Sequence, residues 1–231
     1  LLNNFAIDKA NFTGVEIGML QSLREVPGFL AFTAVFVLLA ISEQKFALLS
    51  LAMLTIGVAL TGYFPFEYGL YATTVLMSVG FHYFETINTS LQLQYLDKEE
   101  APAVMGQLIS VKSAASLVAY ATIWLCFNWF VIEYQAAYLL FGSLGLLLLA
   151  VIVTSFPAFT THTVQHKHLL MRQRYWLYYV LIFLSGARRQ IFMVFAGFMM
   201  VEKFGFAVHE VTSLFLITLL ANILSAPLVG K

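Results

Sequence analysis

The sequence predicts an all-α integral membrane protein, a polytopic helical bundle. Three observations predict it. Only 10% of the 231 residues are charged, while 61% are hydrophobic and 16% aromatic. A soluble domain carries about 25% charged residues, so this chain cannot cover a surface with water-facing side chains. The apolar residues also gather into seven long segments, each near the ~20 residues that cross a bilayer. Lastly, ionisable groups are nearly absent from the apolar cores of two segments, about 45–64 and 135–157, yet recur inside others. A charge at the bilayer centre costs roughly 2.5–3.5 kcal/mol, so it normally faces a partner or a watery cavity. The expected bundle therefore has a lipid-facing wall and a polar interior. The formal net charge is zero and implies no class of partner.

The first segment, about 16–40, contains Arg24-Glu25-Val26-Pro27-Gly28. Adjacent opposite charges precede a proline, which removes a helical hydrogen bond and kinks the helix. This reads first as a bend and an inter-helix contact, with Arg24 and Glu25 as secondary site candidates. Ser42-Glu43-Gln44-Lys45 separates it from segment 45–64, whose apolar core is charge-free, and Phe64-Pro65-Phe66-Glu67 leads into 68–95. There His82 and Glu85 stand at i and i+3, on one helical face, which Thr89 and Gln92 extend. His82 lies about 14 residues, or ~20 Å, into its span. The pair could carry a proton or bind a cationic group; the alternative is a mutually satisfied pair that locks helix packing.

Beyond Asp97-Lys98-Glu99-Glu100-Ala101-Pro102, segment 103–130 carries Lys112 and the only cysteine, Cys126. Lys112 lies about nine residues inside the span, near enough either to snorkel to the interface or to face the interior. A single cysteine excludes an intrachain disulfide, and Cys126 reads as a small buried hydrophobe. After 135–157 comes a basic loop, 158–174, with His162, His166, Lys167, His168, Arg172 and Arg174. Its histidine spacing matches part of a metal-binding box. Membrane desaturases and hydroxylases need several such boxes, whereas the whole chain has five histidines. The loop therefore reads as solvated, and no metal or cofactor is expected.

The last segments, 175–201 and 207–229, part at Phe204-Gly205. Arg188 and Arg189 lie mid-span in Ser185-Gly186-Ala187-Arg188-Arg189-Gln190. Successive helical side chains diverge by ~100°, so one arginine is expected to face the cavity and the other a neighbouring helix. Functionally they suggest an anion or carboxylate clamp with Gln190 beside it; structurally, ion pairs with Glu85 or Glu25. No Gly-rich phosphate loop, nucleophile elbow or zinc pattern is present, and nothing points to nucleic acid.

Orientation follows from Lys and Arg in the loops. Lys45, Lys98, Lys167, Arg172, Arg174 and Lys231 fall on one side, Lys9 and Lys203 on the other. That imbalance predicts a multi-pass protein of the plasma or bacterial inner membrane, with N-terminal residues outside and loop 158–174 cytoplasmic. Tyr63, Tyr68, Trp129, Tyr175 and Trp176 suit the interfaces. Leu1 at the start, and Ala226 to Lys231 at an apparent helix exit, read as the ends of a fragment.

A short pattern recurs. Asp8-Lys9-Ala10-Asn11-Phe12 leads to Glu16 and Leu20, and Glu202-Lys203-Phe204-Gly205-Phe206 leads to Glu210 and Leu214, 194 positions later. Each copy opens a helix with Glu in the first turn, where the helix dipole favours negative charge. Six spans lie between the two starts, so both copies share one orientation, as in transporters built from two parallel six-helix halves.

With these features the chain resembles the major facilitator superfamily over most of its length, as spans two to eight of that family's 12-helix fold. Leu96-Asp97-Lys98-Glu99-Glu100 through Met105-Gly106 is similar to the acidic loop after the family's fourth helix. Pro227 and Gly230 resemble the start of the second-half signature loop. The first-half signature loop departs: Ile41-Ser42-Glu43-Gln44-Lys45-Phe46 keeps only an acid and a base of it. The family's fourth-helix arginine and the antiporter Gly-Pro motif are not evident, which argues against the drug/proton antiporter branch. The resemblance implies an N-terminal half at 1–157 lacking its first helix, an inter-half loop at 158–174, and the start of a C-terminal half at 175–231. It also implies that 45–64 and 135–157 lie on the outside of their half, in keeping with their charge-free cores.

The expected function is secondary active transport of a small organic solute, coupled to a proton or another ion, by alternating access. His82 or Glu85 is the expected protonation site, and Arg188 or Arg189 the contact for substrate charge. The buried groups Arg24, Lys112, Arg188 and Arg189 outnumber Glu25 and Glu85, which favours an anionic or zwitterionic solute. An enzyme is not expected. The alternatives are a seven-helix receptor and, less favoured, a membrane-embedded enzyme.

Overall fold

A computed structural model of the chain describes residues 1–97, 99–156, 172–185 and 217–225, and every regular element among them is helical. These residues form two compact units, one of 1–97 with 122–156 and the other of 99–121 with 172–185 and 217–225.

The first unit opens with α1 (Leu2–Ala10), which stops at Asn11 in the left-handed region at φ 55°, a conformation that Asn tolerates. A capping box then starts α2 (Gly14–Phe29). The Val15 N–H donates to Thr13 Oγ1 at 3.3 Å, and the Thr13 N–H donates to the Glu16 carboxyl at 2.7 Å. Each bond satisfies a backbone or side-chain group that a bare helix start would leave open.

The segment expected at about 16–40 is not one continuous helix. Pro27 lies inside α2, which ends at Phe29; a 3-10 turn, Leu30–Thr33, follows and then a short α3, Ala34–Leu38. A proline within a helix removes one hydrogen bond and crowds the preceding turn. The Ser78 hydroxyl donates to the Arg24 carbonyl just before this break. The next segments match their expected places as α4 (Glu43–Thr61), α5 (Glu67–Tyr95), α6 (Ala101–Asn128) and α7 (Tyr134–Ser155).

Three described helices, Glu43–Thr61, Ala101–Phe127 and Tyr134–Ser155, are long and apolar enough to cross a membrane. α5 is longer, at 29 residues, but interleaves polar groups such as His82 and Glu85 along its length.

α4 packs between α5 and α7 through small residues. A Cβ on Gly80 of α5 would stand 2.5 Å from the Ser50 carbonyl oxygen and the Leu54 nitrogen; one on Gly142 of α7 would stand 2.5 Å from Ala59 Cα. Such close backbone approach is how helices associate where lipid removes the hydrophobic drive. The contact pairs also fix relative directions. Arg24 meets Ser78, Gly28 meets His82 and Thr33 meets Tyr83, so α2 and α5 run parallel. Gly57 meets Met77, Gly80 meets Leu54, Gly142 meets Ala59 and Gly145 meets Thr55, so α4 runs opposite to both α5 and α7.

Two apolar clusters close the unit. Phe5, Ala6, Phe12, Leu20, Leu70 and Tyr138 bury one end, where α1 packs. Ala34, Phe46, Ala47 and Ile87 bury the other. In the second unit, Ser110 of α6 donates to the Ile223 carbonyl at 2.7 Å and ties the helix to 217–225.

Candidate functional site

α2 and α5 meet along matching i, i+4 ridges, which in a helix lie on one face. Arg24 and Gly28 supply one ridge; Ser78 and His82 supply the other. Because Gly28 has no side chain, the imidazole of His82 sits against its backbone: a Cβ there would stand 2.8 Å from Cε1 and 3.0 Å from Nε2.

Arg24 and Glu25 form an ion pair beside this ring. Arg24 Nη2 lies 3.2 Å from Glu25 Oε1, and Nε donates to the same oxygen at 3.4 Å. Half of the Arg24 side chain and 39% of the Glu25 side chain remain exposed. Among the described residues, Glu25, Arg24 and Glu85 are the charged groups within electrostatic range of His82. Phe81 meets the imidazole edge-on, with centroids 5.1 Å apart. The crossing therefore gathers one strong cation, two carboxylates and one titratable base, all partly accessible. Such a set can exchange a proton and can offer an anion a guanidinium.

The remaining sequence-predicted residues distribute as follows. Glu85 lies one turn beyond His82 on α5, and its carbonyl accepts from the Thr89 hydroxyl at 2.9 Å. Thr86 makes the equivalent bond to the His82 carbonyl, also at 2.9 Å. Thr89 thus turns its hydroxyl back onto the helix. Lys112 is exposed and belongs to the other unit; its carbonyl accepts from Ser116 at 2.9 Å. Arg188, Arg189 and Gln190 lie outside the described residues, as do His162, His166 and His168. Among the described residues, no three His, Cys, Asp or Glu side chains gather as a metal site.

Sequence reasoning passed over one buried polar cluster. Glu43, 5% exposed in the first turn of α4, accepts from Ser90 Oγ at 3.0 Å and from Gln94 Nε2 at 2.5 Å. Gln94 also donates to Ser90 at 3.2 Å. The available signal was the i, i+4 spacing of Ser90 and Gln94 in the polar last turns of α5, facing an acid read only as a loop residue.

Comparison of the chain with protein-family models, curated proteins and solved structures gives no match.

Proposed function

We propose that the chain is part of a secondary active transporter of a small organic solute, of the major facilitator kind, with two parallel six-helix halves that rock around a central site. The spans would cross the membrane repeatedly, with N-terminal residues outside and loop 158–174 cytoplasmic. The observation that carries the reading is the Arg24–Glu25–His82 grouping at the α2–α5 crossing. Ionisable side chains within membrane spans are costly and mark solute or ion paths by default. The neighbouring helices α4 and α7 offer nothing comparable: their apolar stretches 46–61 and 134–155 contain no Asp, Glu, Lys or Arg.

Two further features support it. Parallel α2 and α5 with an opposed α4 is the direction pattern that successive crossings require. The break at Pro27 puts a bend one turn from the charges, where a change of helix angle would alter access. Proton coupling is assigned to His82 with Glu85, and Lys112, Arg188 and Arg189 are held as further contacts for substrate charge.

The test is uptake by the full-length protein in proteoliposomes, screening organic acids, amino acids and sugars with and without an imposed proton gradient. Gradient-driven accumulation of any solute supports the reading. Absence of flux for every solute, from protein that is folded and inserted, overturns it.

A further inference from the structure

Resting on that reading, we propose that the α2–α5 crossing takes the carboxylate of a small organic acid between Arg24 and His82, with Glu25 standing in for that carboxylate in the resting protein. The internal ion pair is poorly made. Two of the three guanidinium nitrogens of Arg24, Nη2 and Nε, converge on one oxygen of Glu25, at 3.2 and 3.4 Å, beyond the ~2.7–2.9 Å of a good charge-assisted bond. The cause is covalent: neighbours on a helix point ~100° apart, so Glu25 cannot reach the guanidinium side-on. A solute carboxylate is not tethered in this way. It can align both oxygens with the planar fork, the arrangement for which arginine is suited. The Arg24 side chain is half exposed and so within a solute's reach.

His82 completes the site by charge. Arg24 and Glu25 cancel and Glu85 lies one turn along α5, so an arriving carboxylate adds a further negative charge unless a proton comes with it. The imidazole, held against Gly28 one turn from Arg24, is placed to accept that proton. The displaced Glu25 then turns to the imidazolium. One N–H bond forms on His82 with a proton from the outer solution and breaks towards the inner solution on release. One proton and one carboxylate thus travel together with no net charge moved. Among the described residues, the other charged groups in range of the ring are Arg24 on α2 and Glu85 on α5; the hydroxyl of Tyr83, next to His82 in sequence, is bonded to Thr33 at 2.6 Å. The 3-10 turn and α3 contribute no titratable side chain there.

The experiment is calorimetric binding of L-lactate, benzoate and succinate to the purified full-length protein, in buffers of different ionisation enthalpy, beside uptake of the same acids, glucose and choline. At least one acid is expected to bind with uptake of about one proton at pH 7, because a bound carboxylate favours the charged imidazole. Arg24→Gln is expected to weaken binding by about tenfold or more, and Arg24→Lys to recover only part of it, since an ammonium lacks the fork. His82→Gln is expected to bind without taking up a proton. Glu25→Gln removes the competitor and is expected to tighten binding, a gain that misfolding cannot mimic. Absence of binding by all three acids, unchanged affinity in Arg24→Gln, or weaker binding in Glu25→Gln would each overturn the proposal. Glucose or choline uptake that ignores Arg24→Gln would overturn it while leaving the transporter reading intact. Arg24-dependent binding without any flux would uphold the site and overturn the transporter reading.

Discussion

The imidazole of His82 rests on the backbone of Gly28, so close that a Cβ on the glycine would stand 2.8 Å from Cε1. This contact ties the imidazole to the helix that carries Arg24. Gly28→Ala is expected to push the ring off its seat and to cost about 1–3 kcal/mol, the usual range for overpacking. Thermal unfolding of the purified protein measures this. His82→Ala opens the space again, so the double variant is expected to be more stable than the sum of the single losses allows. Strict additivity would mean that the two residues do not touch.

At the far end of α5, Glu43 offers a separate test. Its 5%-exposed carboxyl group accepts from Ser90 and Gln94. Glu43→Ala removes the buried carboxylate to which Ser90 and Gln94 both donate, at roughly 1–3 kcal/mol for a lost buried acceptor. Glu43→Gln keeps one acceptor oxygen but turns an amide NH2 towards the other donor, so its loss is expected to be smaller. The order of unfolding temperatures, wild type above Gln above Ala, is the readout; an Ala variant as stable as wild type would rule the cluster out as an interhelical tie.

The sequence made the long helices legible and left their meeting points obscure, for physical reasons. Runs such as 45–64 and 135–157 are apolar for a full bilayer thickness and end at polar breaks, so they show in composition alone. The Arg24–Glu25 neighbours and the His82–Glu85 spacing are local patterns, and they too could be read directly. What brings them together is not local: Ser78 reaches the Arg24 carbonyl across 54 residues, and Ser90 reaches Glu43 across 47. The break after Pro27 belongs to the same class. A proline marks a bend, but the 3-10 turn and short α3 beyond it depend on packing against α5, as the Thr33–Tyr83 bond illustrates. Arg188, Arg189 and Gln190, the strongest anion-clamp pattern in the sequence, lie outside the described residues.

α1 is held to the bundle mainly by aromatic burial. Phe5 is 2% exposed, with its ring 5.5 Å from Tyr134 and 5.2 Å from Tyr138. The Tyr134 hydroxyl donates to Asp8 at 2.6 Å from a more exposed position. Phe5→Ala is expected to cost roughly 3–5 kcal/mol, typical of a core phenylalanine. Tyr134→Phe keeps the ring and is expected to lose only about 0.5–1.5 kcal/mol. Hydrogen exchange at the α1 amides separates them: fast exchange in Phe5→Ala and nearly native protection in Tyr134→Phe. The reverse order would make the polar bond the anchor.

The glycines of α7 differ in what faces them, and that difference predicts an order of stability. At Gly142 an added Cβ meets the Ala59 Cα and nitrogen at 2.5 Å, atoms of a helix backbone that cannot move alone. At Gly145 it meets the Thr55 methyl at 2.6 Å, the end of a side chain. Thr55 is not free to swing without loss, since its hydroxyl donates to Leu51 and Ala52 carbonyls at 2.9 and 3.1 Å. Both Gly142→Ala and Gly145→Ala are therefore expected to destabilise, by about 1–3 kcal/mol, with Gly142→Ala the worse. Gly18, inside α2, has nothing within 4 Å of its added Cβ. There alanine only lowers the entropy lost on helix formation, a gain of roughly 0.5–1 kcal/mol. Unfolding of the three variants in one detergent should rank Gly18→Ala above wild type, then Gly145→Ala, then Gly142→Ala. A Gly142→Ala variant as stable as wild type would show that α4 and α7 do not approach at backbone distance.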